Sequence, residues 1–314
     1  MAAGVRSPGG LVSTLRTNSA VVRYLIIALA TTVVMAAGTA RARAQDASEF
    51  HELETKYIFG NFTVGSSTDK AGDKAFETDT EADFGKRGGY YAATETELEF
   101  EYSPTKFLQI ELGPTISSYD ISNVPGLEDR KMIGINGFEA DVRSVILERG
   151  PSPFAVTASF EPEFHSLDET SGDKVVNYGL ETRLEADAEL IKNRLYFGSN
   201  LLYEPETTRG DLGAWDNEST WGISSALAYQ IVPGVVVGAD LWYLRHYEGV
   251  GFNTFTGDAV FLGPTFYWHI AHHVLMSAAY ETQVAGHEVG ATPGNLDLTD
   301  FSRARARLLF EFEF

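Results

Sequence analysis

Tyr90-Tyr91-Ala92-Ala93-Thr94-Glu95-Thr96-Glu97-Leu98-Glu99-Phe100-Glu101-Tyr102 changes character at every residue. Tyr90, Ala92, Thr94, Thr96, Leu98, Phe100 and Tyr102 share one face, and Glu95, Glu97, Glu99 and Glu101 the other. A period of two belongs to a strand, whose successive side chains point to opposite sides. Val176 to Leu190 repeats the pattern: Val176, Tyr178, Leu180, Leu184, Ala186 and Leu190 oppose Glu181, Arg183, Glu185, Asp187 and Glu189. The last residues do so again, with Ala304, Ala306, Leu308, Phe310, Phe312 and Phe314 against Arg303, Arg305, Arg307, Glu311 and Glu313. A helix would scatter these charges around its circumference, whereas a strand separates them.

Working outward, the pattern places twelve strands near 52–64, 89–103, 107–117, 133–147, 154–165, 175–190, 195–206, 220–231, 235–246, 259–270, 274–284 and 301–314. Short connections follow every second strand, at 103–106, 148–153, 191–194, 232–234 and 271–273. Long polar ones fill the alternate positions, near 65–88, 118–132, 166–174, 207–219, 247–258 and 285–300. The expectation is an all-β, antiparallel transmembrane meander barrel of about 12 strands. A soluble sandwich also has alternating strands, but its strands are usually about 5–6 residues long. Aromatics at strand ends, such as Tyr90 and Tyr102, Phe154 and Phe164, and Trp221 and Tyr229, fit girdles at two bilayer interfaces.

The first residues read as an address. Arg6, Arg16 and Arg23 precede an apolar run from Tyr24, and Ala42-Arg43-Ala44 has the form of a cleavage site. A basic start, an apolar middle and Ala-x-Ala make a secretory signal peptide over 1–44, leaving 45–314 as a single barrel. Cleavage there would remove five arginines and no acid. The whole chain of 314 residues has 44 Asp plus Glu against 24 Lys plus Arg, a formal charge of −20, and no cysteine. Such acidity excludes a phosphate-binding nucleic-acid partner. The missing cysteines exclude a disulfide scaffold, and 44% hydrophobic residues argue against disorder.

The signal peptide, the alternating strands and the terminal Leu308-Leu309-Phe310-Glu311-Phe312-Glu313-Phe314 resemble Gram-negative outer-membrane β-barrel proteins. The resemblance implies export through the periplasm to the outer membrane, with lipid and lipopolysaccharide around the barrel. It also implies that Phe310, Phe312 and the C-terminal Phe314 act as a signal for the barrel-assembly machinery.

In such a barrel the apolar face meets lipid and the charged face lines the lumen. The expected lumen acids include Glu95, Glu97, Glu99, Glu101, Glu139, Asp141, Glu161, Glu163, Glu181, Glu185, Asp187 and Glu189. Glu52, Glu54 and Lys56 of the first strand join them, and Arg143, Arg183, Arg303, Arg305 and Arg307 supply bases. Closure would let Arg307 meet Glu54 or Glu281. Acids outnumber bases, and ionised groups are costly to bury dry, so a hydrated, cation-favouring passage is one reading. A porin-like channel for small, preferentially cationic solutes is therefore expected. The alternative is a non-conducting structural or adhesive barrel, whose lumen is sealed by charge pairs. The solute, the oligomeric state and the role of the acidic loop at 65–88 stay open.

Enzyme chemistry finds little footing. Lipid-acting barrel hydrolases carry a His-x-Ser pair on a strand, and none of the seven histidines has serine two residues later. His165 and Ser166 are adjacent and so fall on opposite faces. His269, His272 and His273 lie in and beside a short turn without a carboxylate among them. Asp69, Asp73, Glu77, Asp79, Glu81 and Asp83 lack EF-hand spacing, and no cofactor or metal ligand set is expected.

Overall fold

A strand with one apolar and one charged face satisfies its backbone only by pairing edge to edge with neighbours, and in lipid only by closing the sheet. The computed structural model describes residues 50–150, 152–210, 213–290 and 296–314, and the expected signal segment lies outside them. The strands are β1 (Lys74–Phe84), β2 (Tyr90–Thr105), β3 (Leu108–Ser122), β4 (Arg130–Leu147), β5 (Phe154–Leu167) and β6 (Lys174–Ile191). They continue with β7 (Leu195–Gly210), β8 (Asp216–Val232), β9 (Val235–Glu248), β10 (Thr254–Ala271), β11 (Val274–Glu288) and β12 (Ala304–Glu313). Each pairs antiparallel with its sequence neighbours, and β1 meets β12 to close the barrel. The closing seam aligns Phe76 with Phe312 outside and Glu81 with Arg307 inside.

The outer face carries Leu184, Leu201, Leu227, Leu241, Leu262 and Leu308, with Ile133 at 76% and Ile135 at 75% exposure. Tyr90, Tyr102, Phe154, Phe164 and Tyr229 also face outward. An apolar belt of this extent is unfavourable in water and is the surface a bilayer covers.

Three expectations need correction. The first strand is not 52–64. That stretch contains Tyr57-Ile58-Phe59, apolar on both parities, so it has no charged face to set against a lipid face. It runs inside the barrel instead, with Ile58 and Phe59 both 0% exposed and Phe62 and Val64 also buried. Residues 53–67 thus form a plug, and β1 is drawn from the acidic stretch expected to be a loop. Its outward residues, Phe76, Thr78, Thr80, Ala82 and Phe84, include two threonines, so the alternation with Glu77, Asp79, Glu81 and Asp83 is masked.

The second correction concerns connections. Those at 85–89, 123–129, 168–173, 211–215 and 249–253 are far shorter than expected, five to seven residues, against two to six for 106–107, 148–153, 192–194, 233–234 and 272–273 at the other end. Only 289–303 is long. The strands reach 18 residues in β4, well past the roughly 9–11 that cross a bilayer, and stay paired beyond it. The β7–β8 ladder, for instance, continues through Glu206 opposite Glu218 and Thr208 opposite Asp216. Polar stretches that read as loops are therefore ladder extensions.

The third concerns Arg303, which stands exposed just before β12 rather than on the lumen wall. Its backbone N–H donates to the Gly85 carbonyl, which holds it at the rim.

A plugged acidic lumen

The plug is held by both sides of the barrel. On one side Ile58 and Phe59 pack with Tyr196, Ala226, Ala228, Val236, Leu275 and Leu309 of β7–β12. Phe59 lies flat enough on β7 that a β-carbon at Gly198 would come within 2.9 Å of its ring. Farther along, Phe62 packs with Leu202, Trp242, Leu244 and Phe261, and the Arg305 guanidinium sits 4.1 Å over the Phe62 ring. Polar anchors accompany these contacts: Asn200 bonds both the N–H and the carbonyl of Val64 at 2.8 Å. Thr63 donates to Asp240 through its backbone at 2.9 Å and its hydroxyl at 2.8 Å.

On the other side every anchor is ionic or strongly polar. Lys56 donates to Glu101 at 2.7 Å and Glu111 at 2.5 Å, and the Tyr57 hydroxyl donates to Glu77. Asn61 donates to Asp79. Thr55 and Ser66 donate to Asp187 at 2.6 and 2.7 Å, and Arg149 reaches the same carboxylate at 2.9 Å. Arg143 holds Glu185 bidentately at 2.8 and 2.7 Å and donates to the Gly65 carbonyl at 2.9 Å. Paired, hydrogen-bonded charges of this kind are tolerable in a dry interior; removing one partner costs about 3–5 kcal/mol.

Both ends of the plug lie at the short-turn end of the barrel. Asn193, in the β6–β7 turn, donates to the Phe50 carbonyl at 2.6 Å. Gly72 N–H donates to the Ser103 carbonyl of β2 at 2.7 Å.

Above the plug, toward the other end, the lumen holds a cavity of about 490 Å³ with Phe62 on its floor. Of the sequence-predicted residues, Glu95, Glu97, Glu139, Glu161, Glu163, Glu181, Arg183, Arg305 and Arg307 line it. Glu99, Asp141, Arg143 and Glu185 border a smaller void of about 40 Å³ between the plug and the β1–β6 wall. Glu97, Glu161, Glu181 and Arg183 border both spaces. Glu101 and Asp187 are sequestered under the plug, and Glu189 accepts the Asn193 N–H at the short-turn end. Phe312 and Phe314 are exposed on the outside, and Phe310 shares their outward parity in β12.

The ion pairs differ from those expected. Arg307 meets Asp79 of β1 at 2.8 Å, not Glu54, and it is Arg305 that takes Glu281 at 2.7 Å. Glu77, Asp79, Glu81 and Asp83 became wall residues once β1 moved to 74–84. His165, considered in the sequence only as a partner for Ser166, points its imidazole into the acidic wall, while Ser166 turns away and donates to the Asn136 carbonyl at 2.6 Å.

The mouth is partly roofed by residues 296–302. Asp297 is buried there, accepting the backbone N–H groups of Thr299 and Asp300, and burial beside Asp300 pushes its carboxyl up to about 6. Lys86 donates to the Thr299 carbonyl at 3.1 Å, and burial holds its ammonium below the usual lysine range.

A closed 12-strand meander with a lipid-compatible exterior and a charged interior defines an outer-membrane β-barrel. Within that class, the chain belongs to the Family of unknown function (DUF6662), which matches residues 52–314. The COG4313 outer membrane channel from Pseudomonas putida F1 is structurally similar, at 10% identity and TM-score 0.54, covering 79% of this chain and 98% of that one. A NanC porin aligns at 12% identity and TM-score 0.45, covering 76% of this chain and 98% of that one. At 10% identity the likeness to the channel is one of fold. No curated protein matches the sequence.

Proposed function

We propose that the protein is a porin-like outer-membrane channel for small solutes, with a preference for cations, and that residues 53–67 gate it. The acidic cavity supports this reading: fourteen Asp or Glu line it against four Lys or Arg. Unpaired carboxylates at this density require water and counter-cations, and their field concentrates small cations from the outer side. The 40 Å³ void continues this lining past the plug along the β1–β6 wall, where conduction would follow once the plug shifts. Export through the periplasm, lipopolysaccharide contact and recognition of Phe310, Phe312 and Phe314 by the assembly machinery belong to the same reading.

The many plug anchors favour a second reading, a non-conducting structural barrel. The cysteine-free chain offers a direct test, because Thr63 Oγ1 and Ser224 Oγ lie 2.6 Å apart across the plug–wall contact. A Thr63→Cys, Ser224→Cys pair should form a reversible lock. In planar bilayers the oxidised protein should be silent, and reduction should restore cation-selective conductance at the wild-type level. Silence in wild type, reduced double variant and a plug-deleted chain alike would leave the structural reading.

A further inference from the structure

His165 is 2% exposed, yet only one of its ring nitrogens has a hydrogen-bond partner. Nε2 lies 2.8 Å from the Glu139 carboxylate, which only accepts, so Nε2 carries a proton. Among the described residues Nδ1 has no hydrogen-bond partner in its buried position. What faces it is a carboxylate, Glu169 Oε1 at 3.4 Å. Ligand atoms of Glu163, His165 and Glu169 all lie within 4.8 Å of one another. Metal-free, carboxylates this close keep the ring an imidazolium whose Nδ1–H faces Glu169; a metal ion would displace that proton and take the freed lone pair.

We propose that His165, Glu163 and Glu169 bind one divalent transition-metal ion of the Zn²⁺ class, with Glu139 orienting the imidazole from behind. A ligating histidine that donates its other N–H to a carboxylate is the arrangement that fixes the tautomer and raises basicity at the metal-facing nitrogen. Ligands about 2.0–2.1 Å from a tetrahedral Zn²⁺ stand roughly 3.4 Å apart, close to the Nδ1–Glu169 spacing. The imidazole nitrogen selects against Ca²⁺ and Mg²⁺, which take all-oxygen sets.

The seat is built by backbone. The β3–β4 register shifts between Thr115 and Ile116, leaving Asn136 as an extra residue before Gly137. A β-carbon at Gly137 would come within 2.7 Å of His165 Cδ2, so glycine there admits the ring. Asn136 is itself fixed, donating to Glu95 at 2.6 Å and accepting the Leu167 N–H at 2.8 Å. Glu169 comes from the β5–β6 connection, whose turn is closed by the Gly172 N–H donating to the Asp168 carbonyl at 2.7 Å. All three ligands border the 490 Å³ cavity, so water completes the coordination from that side.

The site does not depend on conduction, and its test is separate. Metal-stripped full-length barrel in detergent is titrated calorimetrically with ZnCl₂ near neutral pH, and Co²⁺ is substituted to read its visible absorption. The expected result is one Zn²⁺ per chain, undisturbed by tenfold Ca²⁺, with affinity at least tenfold weaker in His165→Ala and Glu169→Gln. Glu139→Gln should weaken it about 10–100-fold, the usual effect of losing the group behind a ligating histidine. Glu169 lies outside the ladders, so Glu169→Gln keeps the barrel intact, as heat-modifiable gel mobility will show. Absence of a one-to-one site, unchanged Zn²⁺ affinity in Glu169→Gln, or displacement of Zn²⁺ by comparable Ca²⁺ would overturn the proposal.

Discussion

The two halves of the lumen wall hold the same plug by opposite physics. The β7–β12 half grips it mainly with apolar side chains, Tyr196, Ala226, Val236, Trp242 and Phe261 among them, around Ile58, Phe59 and Phe62, with Asn200 and Asp240 as its polar anchors. The β1–β6 half grips it with carboxylates, namely Glu77, Asp79, Glu101 and Asp187, plus the Glu111 that shares Lys56. Apolar contact is indifferent to pH and salt and tolerates sliding. Charge pairs are directional and respond to pH, ionic strength and competing cations. A segment clamped between the two has a permanent side and an adjustable one, so the acidic half is where solution conditions can act.

This contrast is breakable at either side. Phe59→Asp sets a charge into the apolar half with no partner, at a cost of several kcal/mol. It should expel the plug and raise time-averaged bilayer conductance at least tenfold. Lys56→Met attacks the acidic half, leaving Glu101 and Glu111 unneutralised. The loss approaches the ~3–5 kcal/mol of a broken buried pair, but water and cations from the neighbouring void temper it. Its conductance should rise by less than that of Phe59→Asp, and high salt should narrow the gap between variant and wild type.

Gly198→Ala is gentler. Its β-carbon would stand 2.9 Å from the Phe59 ring, an overpacking of ~1–3 kcal/mol. More frequent brief openings in single-channel records would report it. The smallest effect concerns the mouth. Because burial raises the Asp297 carboxyl to about 6, its contribution to the roof is fully present below about pH 4 and fades as pH rises through 6. A spin label at the exposed Thr299 should be more mobile at pH 7.5 than at pH 4.5, and Asp297→Asn should flatten that difference.

Sequence reading reached the barrel because alternation in 90–105, 174–191 and 304–313 needs no tertiary knowledge: one face is apolar, the other charged. It misplaced β1 for an equally physical reason. Thr78 and Thr80 make the lipid-side parity of 74–84 look polar, while the apolar run at 57–59 looks more like a membrane segment than 74–84 does. Hydropathy ranks segments by how much they avoid water, and a plug avoids it as well as a wall does. Parity assigns a residue to a face only while register is unbroken. The extra residue at Asn136 changes the inward set of β4 from even to odd numbers, which no local pattern announces. His165 looked idle because its partners, Glu139, Glu163 and Glu169, come from two strands and a connection.

The plug enters and leaves the lumen at one end, beside Asn193 and Ser103. Topologically it is a finger in a cylinder rather than a thread through a ring. None of the twelve interstrand ladders has to open for it to come out, and the β1–β12 seam need not wait for it during assembly. The barrel wall can therefore close first and receive the finger afterwards. A later excursion of the finger would repeat that last step alone, so the proposed opening and closing would proceed without remaking the protein around them.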